Sequence, residues 1–254
     1  MLRGINGNPY LDLEKYIDIK SFDDIQTDIH KGFALSKHLA VTGCLEVPTD
    51  MFNENSHGLD WKPLSKAYVE FLQLADTDPV KITGQQIMQE HGHNEFVTYL
   101  KYALGGYDLY TFYVLWDFKE GWRQDPTVRE LTDISEYFPS LVKWIDNLKD
   151  TGIFSHMGRA SFFVLESGGV SFEHRDPSVD PEFPEVTSEF IHIRPDMSRP
   201  FYVRDPDTLE KTYIETRVGY WNDQDWHGGE QIMKPTYGLR IDGVFTEEFR
   251  NRIL

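Results

Sequence analysis

One cysteine in 254 residues, Cys44, leaves the chain without an internal disulfide and without the thiolates of a zinc cluster. The fold must rest on a core of its own. At this length a compact chain buries roughly 70–75% of its unfolded surface, which is enough to make one. Scarce thiols also fit a reducing compartment. Long apolar runs are missing too. No stretch approaches the ~20 residues that span a bilayer, and Asp12, Glu14 and Asp18 interrupt the start before a signal core can form. Basic runs are absent: 25 Lys and Arg stand against 42 Asp and Glu, a formal charge of −17 that repels nucleic acid and anionic membranes. Internal repeats and low-complexity tracts are not seen. These absences lead to the expectation of a single domain over 1–254, cytoplasmic, with neither membrane nor nucleic acid as partner.

What is present changes character near residue 150. Before it, helical spacing is common. "LSKAYVEFLQLA" sets Leu64, Ala67, Tyr68, Phe71 and Leu74 on one stripe. "VRELTDISEYFPSLVKWIDNLKD" reads as a helix broken before Pro139 and restarted after it, with Leu141, Trp144, Ile145 and Leu148 on one face. Between them "YDLYTFYVLWDF" has the aromatic and apolar content of a buried strand. After residue 150 short segments take over: "RASFFVLESGG", "VSFEHRD", "SEFIHIRP", "RPFYVRD", "KTYIETR", "VGYWND" and "TYGLRID", with "RDPDTLEK" as a hairpin tip. Strand–helix–strand alternation is missing, so a parallel sheet is not expected. The reading is an α+β chain: a helix-rich N-terminal half, 1–137, packed on an antiparallel sandwich or jelly roll, 138–254. Aromatics of the first half, such as Trp116 and Trp122, read as core.

Two His-x-Asp/Glu pairs occur, His93–Glu95 and His174–Asp176. Nine His and 42 acids in this length produce about 1.5 such pairs by chance. Setting therefore has to discriminate. In a strand, residues i and i+2 share a face, so His174 and Asp176 in "VSFEHRD" can converge on one ion, with Arg175 pointing away. His93 and Glu95 lie at a helix entrance, where they diverge. His227, in "GYWNDQDWHGGE", supplies a second imidazole from a distant strand end. Two His and one carboxylate leave open positions, the pattern of non-haem Fe(II) oxygenases. A structural zinc would need a fourth ligand. The plain alternatives are a solvated strand end at His174 and Asp176 and a loop histidine beside Gly228–Gly229.

Alternation in "TYGLRID" sets Leu239 and Ile241 on one face and Gly238, Arg240 and Asp242 on the other. An inward Arg240 needs an anion, either a dicarboxylate ligand or an internal acid such as Asp242. His192 and Arg194 in "EFIHIRP" share a face and read either as part of a carboxylate site or as a satisfied polar patch. Asp223 and Asp225 read either as ordinary loop acids or as hydrogen-bond acceptors for a ligand histidine.

With these segments in order, from about Phe138 to Phe249, the C-terminal half resembles the Fe(II)/2-oxoglutarate-dependent oxygenases. Within them it is most similar to the aspartyl/asparaginyl β-hydroxylase group and its proline hydroxylase-like relatives. The segments are "FPSLVKWIDNL", "ASFFVLESGGVSFEHRD", "FIHIRP", "RVGYWNDQDWHGGE" and "GLRIDG". The resemblance implies a double-stranded β-helix (jelly-roll) core and a dioxygenase using Fe(II), 2-oxoglutarate and O₂. It implies His174, Asp176 and His227 as metal ligands, Arg240 as partner of the distal carboxylate of 2-oxoglutarate, and His192 as a co-substrate residue. The implied substrate is an amino acid, free or in a peptide, with residues 1–137 shaping its pocket. Some β-hydroxylases of the group lack the carboxylate ligand; this chain has Asp176. Another small metabolite, or a non-catalytic jelly-roll binding protein, are the competing expectations.

Overall fold

Alternating runs of β-branched and aromatic residues in the second half do pair as strands, and every described pair is antiparallel. The structure, a computed structural model, describes residues 2–42, 70–92, 96, 99–100, 103–104, 110–118, 129–165, 171–176, 189–230 and 232–254. The expectations for Cys44, the first half of "LSKAYVEFLQLA" (64–69), His93–Glu95 and Trp122 fall outside them.

The strands are β1 (Tyr10–Asp12), β2 (Val41–Thr42), β3 (Tyr110–Phe118), β4 (Arg129–Leu131), β5 (Phe154–Leu165), β6 (Ser171–His174), β7 (Glu189–Ile193), β8 (Phe201–Arg204), β9 (Lys211–Tyr213), β10 (Val218–Trp221), β11 (Trp226–Gly229) and β12 (Thr236–Phe245). The larger sheet runs β1-β10-β7-β12-β5-β3-β2, with β4 beside β3; the smaller runs β6-β11-β8-β9. The helices are α1 (Ile19–Asp24), α2 (Gln26–Ser36), α3 (Pro79–His91), α4 (Pro139–Leu148) and α5 (Glu247–Ile253). The architecture is α+β, a large antiparallel sheet with several helices. No helix among the described residues is long and apolar enough to cross a membrane.

Each sheet face has its own cover. α4 starts at Pro139, whose fixed φ suits a first helical turn. It buries Leu141, Trp144, Ile145 and Leu148 on one side, the stripe read from the sequence. α2 sends Phe33 into a ring cluster with Tyr113, Phe138, Phe162 and Tyr237 at centroid distances of 4.8–5.4 Å. The opposite face of the large sheet meets the small one through His192, Phe201, Trp221 and His227. The candidate site lies in this second interface.

One reading of the first half needs correction. Residues 129–131 were expected to continue a helix toward Pro139, but Arg129, Glu130 and Leu131 pair with Phe118, Asp117 and Trp116 as β4. A short 3₁₀ turn, Asp133–Tyr137, separates it from α4. Pairing to an available strand edge outweighed a weak local helical preference.

Candidate functional site

The two-residue period of β7 and β12 sorts their side chains. Leu239, Ile241, Ile191 and Ile193 are fully buried in the apolar core. Their neighbours face the other way, and the register sets Arg240 beside His192. Gly238 sits next to this pair; a Cβ there would collide with His192 Nε2. His192 stacks on Phe201 at 5.6 Å and meets the edge of Trp221 at 5.2 Å. Burial, then the positive charges of Arg194, Arg199 and Arg240 and the neighbouring His227, hold its pKa well below the ordinary 6.5. It is therefore a neutral imidazole at physiological pH.

His227 comes from β11 and is buried against Phe201 and Trp221. Its Nδ1 lies 2.8 Å from the Asp225 carbonyl oxygen. A carbonyl only accepts, so Nδ1 carries a proton, and whenever the ring is neutral Nε2 is its lone-pair nitrogen. In the strand register His227 stands directly opposite His174 of β6. On the outer side Arg175 is exposed and lies over the Trp226 ring, 5.5 Å from its centroid. Trp226 and His227 are successive residues, so they alternate across the strand.

Residues 222–225, a polar run ("NDQD") in the sequence, are all buried. Buried polar groups need partners, and each finds one. Asp223 binds Arg240 at 3.0 Å and accepts the Asp176 amide on its carbonyl at 2.7 Å. Asn222 accepts the Gln224 amide at 3.0 Å. Gln224 accepts from the Arg3 guanidinium. The Asp225 carboxylate accepts the amides of Arg3 and Gly4 at 2.8 and 2.7 Å. The sequence reading of Asp225 as an acceptor for a ligand histidine concerned its carboxylate, which here takes the Arg3 and Gly4 amides, while the His227 Nδ1–H goes to its main-chain carbonyl. The sequence signal for this hub is the density of polar residues just before His227. Its partners Arg3 and Gly4, some 220 residues earlier, had no signal.

Arg240 has its anions within the chain. Its Nε meets Asp242 at 2.6 Å, Nη1 meets Asp176 at 2.9 Å and Nη2 meets Asp223 at 3.0 Å. The guanidinium also lies over Phe190, 4.0 Å from its centroid. Burial alone would lower its pKa, but Asp242, Asp176 and Asp223 outweigh that and raise it above the ordinary value. Of the two readings of an inward Arg240, the internal ion pair is what the structure contains. Among the described residues, no three His, Cys, Asp or Glu gather as a metal site.

Arg194 has a set of partners of its own. It is buried and donates to the carbonyls of Arg199 (3.0 Å), Ile214 (2.6 Å) and Thr216. It ties loops together as a satisfied polar group, and burial first of all lowers its pKa to about 10. Trp221 was not singled out from the sequence. Its indole N–H is buried between the sheets and has no hydrogen-bond partner among the described residues, a costly arrangement unless a bound group accepts it.

No family model matches the chain, and no curated protein matches its sequence. The chain is similar to solved structures of 2OG-Fe(II) oxygenases and prolyl hydroxylases: an oxidoreductase of the 2OG-Fe(II) oxygenase family from Burkholderia pseudomallei (11% identity, 52% of this chain and 67% of that one, TM-score 0.34), a prolyl-4-hydroxylase from Pseudomonas putida (10%, 76% and 95%, TM-score 0.31), and a prolyl hydroxylase from Trichoplax adhaerens in complex with a hypoxia inducible factor oxygen degradation domain peptide fragment (12%, 89% and 96%, TM-score 0.35).

Proposed function

We propose that this protein is an Fe(II)- and 2-oxoglutarate-dependent dioxygenase with a jelly-roll (double-stranded β-helix) core. It hydroxylates a C–H bond of an amino acid, free or peptidyl, and uses O₂ to convert 2-oxoglutarate to succinate and CO₂. The observation that carries the reading is the register of His174 opposite His227, with Asp176 tied to the same loop through the Asp223 carbonyl.

The donor chemistry fits a divalent ion. Two imidazoles and one carboxylate are the ligand types of the non-haem iron triad, and His227 already has the tautomer a ligand needs. Charge fits as well. One guanidinium faces three carboxylates, a formal excess of two negative charges, and a divalent cation cancels it. In this reading His174, Asp176 and His227 hold the iron, which with 2-oxoglutarate and O₂ supplies the oxidising power. Asp176 would then serve the ion rather than Arg240, and Arg240 would hold the distal carboxylate of 2-oxoglutarate through a charge-assisted hydrogen bond. Neutral His192 and the Trp221 N–H lie beside this space. They orient the co-substrate and exclude water. Residues 1–137 shape the substrate pocket.

A second reading has its own support. Because the Arg240 donors are taken within the chain, the network also suits a non-catalytic binding protein. Fe(II)-dependent formation of succinate across a panel of amino acids and peptides separates the two. The enzyme reading expects turnover, lost together with metal binding in His174→Ala. Fe(II)-loaded protein that fails to bind 2-oxoglutarate sinks it.

A further inference from the structure

We propose that Asp225 is the positioning residue for His227, and that residues 2–5 are the strap against which it works; as a role toward the metal this rests on the dioxygenase reading. The Asp225 side chain and main chain act in opposite directions. The carboxylate takes two successive amides of the N-terminal segment, Arg3 at 2.8 Å and Gly4 at 2.7 Å. The carbonyl takes the His227 Nδ1–H at 2.8 Å. A peptide carbonyl on a loop can rotate. One whose residue is fastened at its carboxylate, and whose amide is bonded to the Asn222 carbonyl at 3.0 Å, cannot do so without breaking several bonds.

The strap is built to stay in place. Asn6 and Gly7 have φ of 48° and 80°, and Ile5 and Asn8 exchange backbone hydrogen bonds of 2.8 and 2.9 Å. That is the Asn-Gly turn of a tight hairpin, which both residues adopt readily. Gly4 has φ of 62°, and a Cβ there would press on the Asn8 carbonyl. Further fastenings run from the Leu2 amide to Asp205 at 3.0 Å, from Asn222 Nδ2 to the Gly4 carbonyl at 3.4 Å, and from the Arg3 guanidinium to Gln224. Ile5 is buried in the main core. Strap, loop and imidazole therefore form one hydrogen-bonded chain that keeps Nε2 as the lone-pair nitrogen between the sheets.

The test is read first on the metal-free protein. Nitrogen-15 NMR of its histidines should find neutral His227 as the Nδ1–H tautomer, with slow hydrogen exchange at the Gly4 amide. In Asp225→Ala, exchange at Gly4 should become fast and the Nε2–H tautomer should appear. Asp225→Asn keeps one acceptor oxygen for the two amides and should be intermediate. A His227 that stays wholly Nδ1–H in a folded Asp225→Ala overturns the proposal. If that variant does not fold, Asp225→Asn decides: a mixed tautomer supports the proposal, and one as pure as in the native protein overturns it. Outer partners of ligating histidines typically alter metal affinity by about 10–100-fold. Co(II) should accordingly bind the variants more weakly by a factor within that range, and equal affinity also overturns the role. Native protein that binds no Co(II) counts against the iron reading alone, because the tautomer is measured without metal.

Discussion

Arg240 shows how one residue can satisfy a rule in an unforeseen way. Its inward direction followed from strand alternation and its need for an anion from its charge, but three aspartates meet that need together. Two of them, Asp176 and Asp223, are distant in sequence. Truncating the arginine would leave them without it, and Asp223 is 1% exposed. Breaking a buried pair from one side costs about 3–5 kcal/mol, and Arg240→Met should lower the unfolding free energy in urea by that amount. The variant that tests the co-substrate role is Arg240→Lys. It keeps the charge but loses the planar fork, and should fold and need more 2-oxoglutarate. Asp196 gives a residue-scale prediction in pH. Partial burial by itself would raise its pKa, but hydrogen bonds from Ser198 and Lys234 bring it from the ordinary 3.8 to about 2. A carboxylate depressed in the folded state stabilises fully above its unfolded value and loses that contribution as pH falls through the folded one. Thermal melts of the native protein and Asp196→Asn should therefore differ at neutral pH and converge between 3.8 and about 2. The difference should be small, since Asp196 and Lys234 are 48% and 61% exposed.

Among the elements, α2 depends on an absent side chain. In an exposed helix Gly→Ala stabilises by about 1 kcal/mol. At Gly32 the added Cβ would lie 2.5 Å from Phe138 Cδ1, on a ring that is 1% exposed and held by Phe33, Tyr113 and Phe162. Overpacking a core costs about 1–3 kcal/mol, which outweighs the gain in propensity. Gly32→Ala should lower the midpoint of thermal unfolding, and a rise would mean that Phe138 moves aside. The apolar stripe of α4 was legible because a helix repeats every 3.6 residues and one face was wholly apolar. β4 was not, because three residues carry no period and their state was set by the edge of β3.

For the whole molecule, the large sheet joins the two halves of the chain. β1 pairs with β10 along Tyr10–Trp221, Leu11–Tyr220 and Asp12–Gly219, and β3 pairs with the second half of β5, Ala160 to Leu165. A fragment of residues 138–254 would expose both of those edges, together with the ring cluster that α2 covers. Unpaired apolar edges template aggregation. Expressed alone, that fragment should lack the dispersed amide spectrum of a folded domain or precipitate; a soluble, dispersed spectrum would show that the C-terminal half folds independently.

Local order was readable where neighbours in sequence decide it. The strands of the second half, the α4 stripe, the alternation about Arg240 and the outward Arg175 all follow from periodicity and charge. These need only the chain's own geometry. Tertiary structure alone decided what meets across the fold: His174 opposite His227, Arg240 among three aspartates, and residues 2–5 on the loop before His227. Such contacts join segments up to about 220 residues apart, and no local pattern encodes which buried polar group finds which partner. That choice is made when two sheets close and each desolvated donor and acceptor must be satisfied.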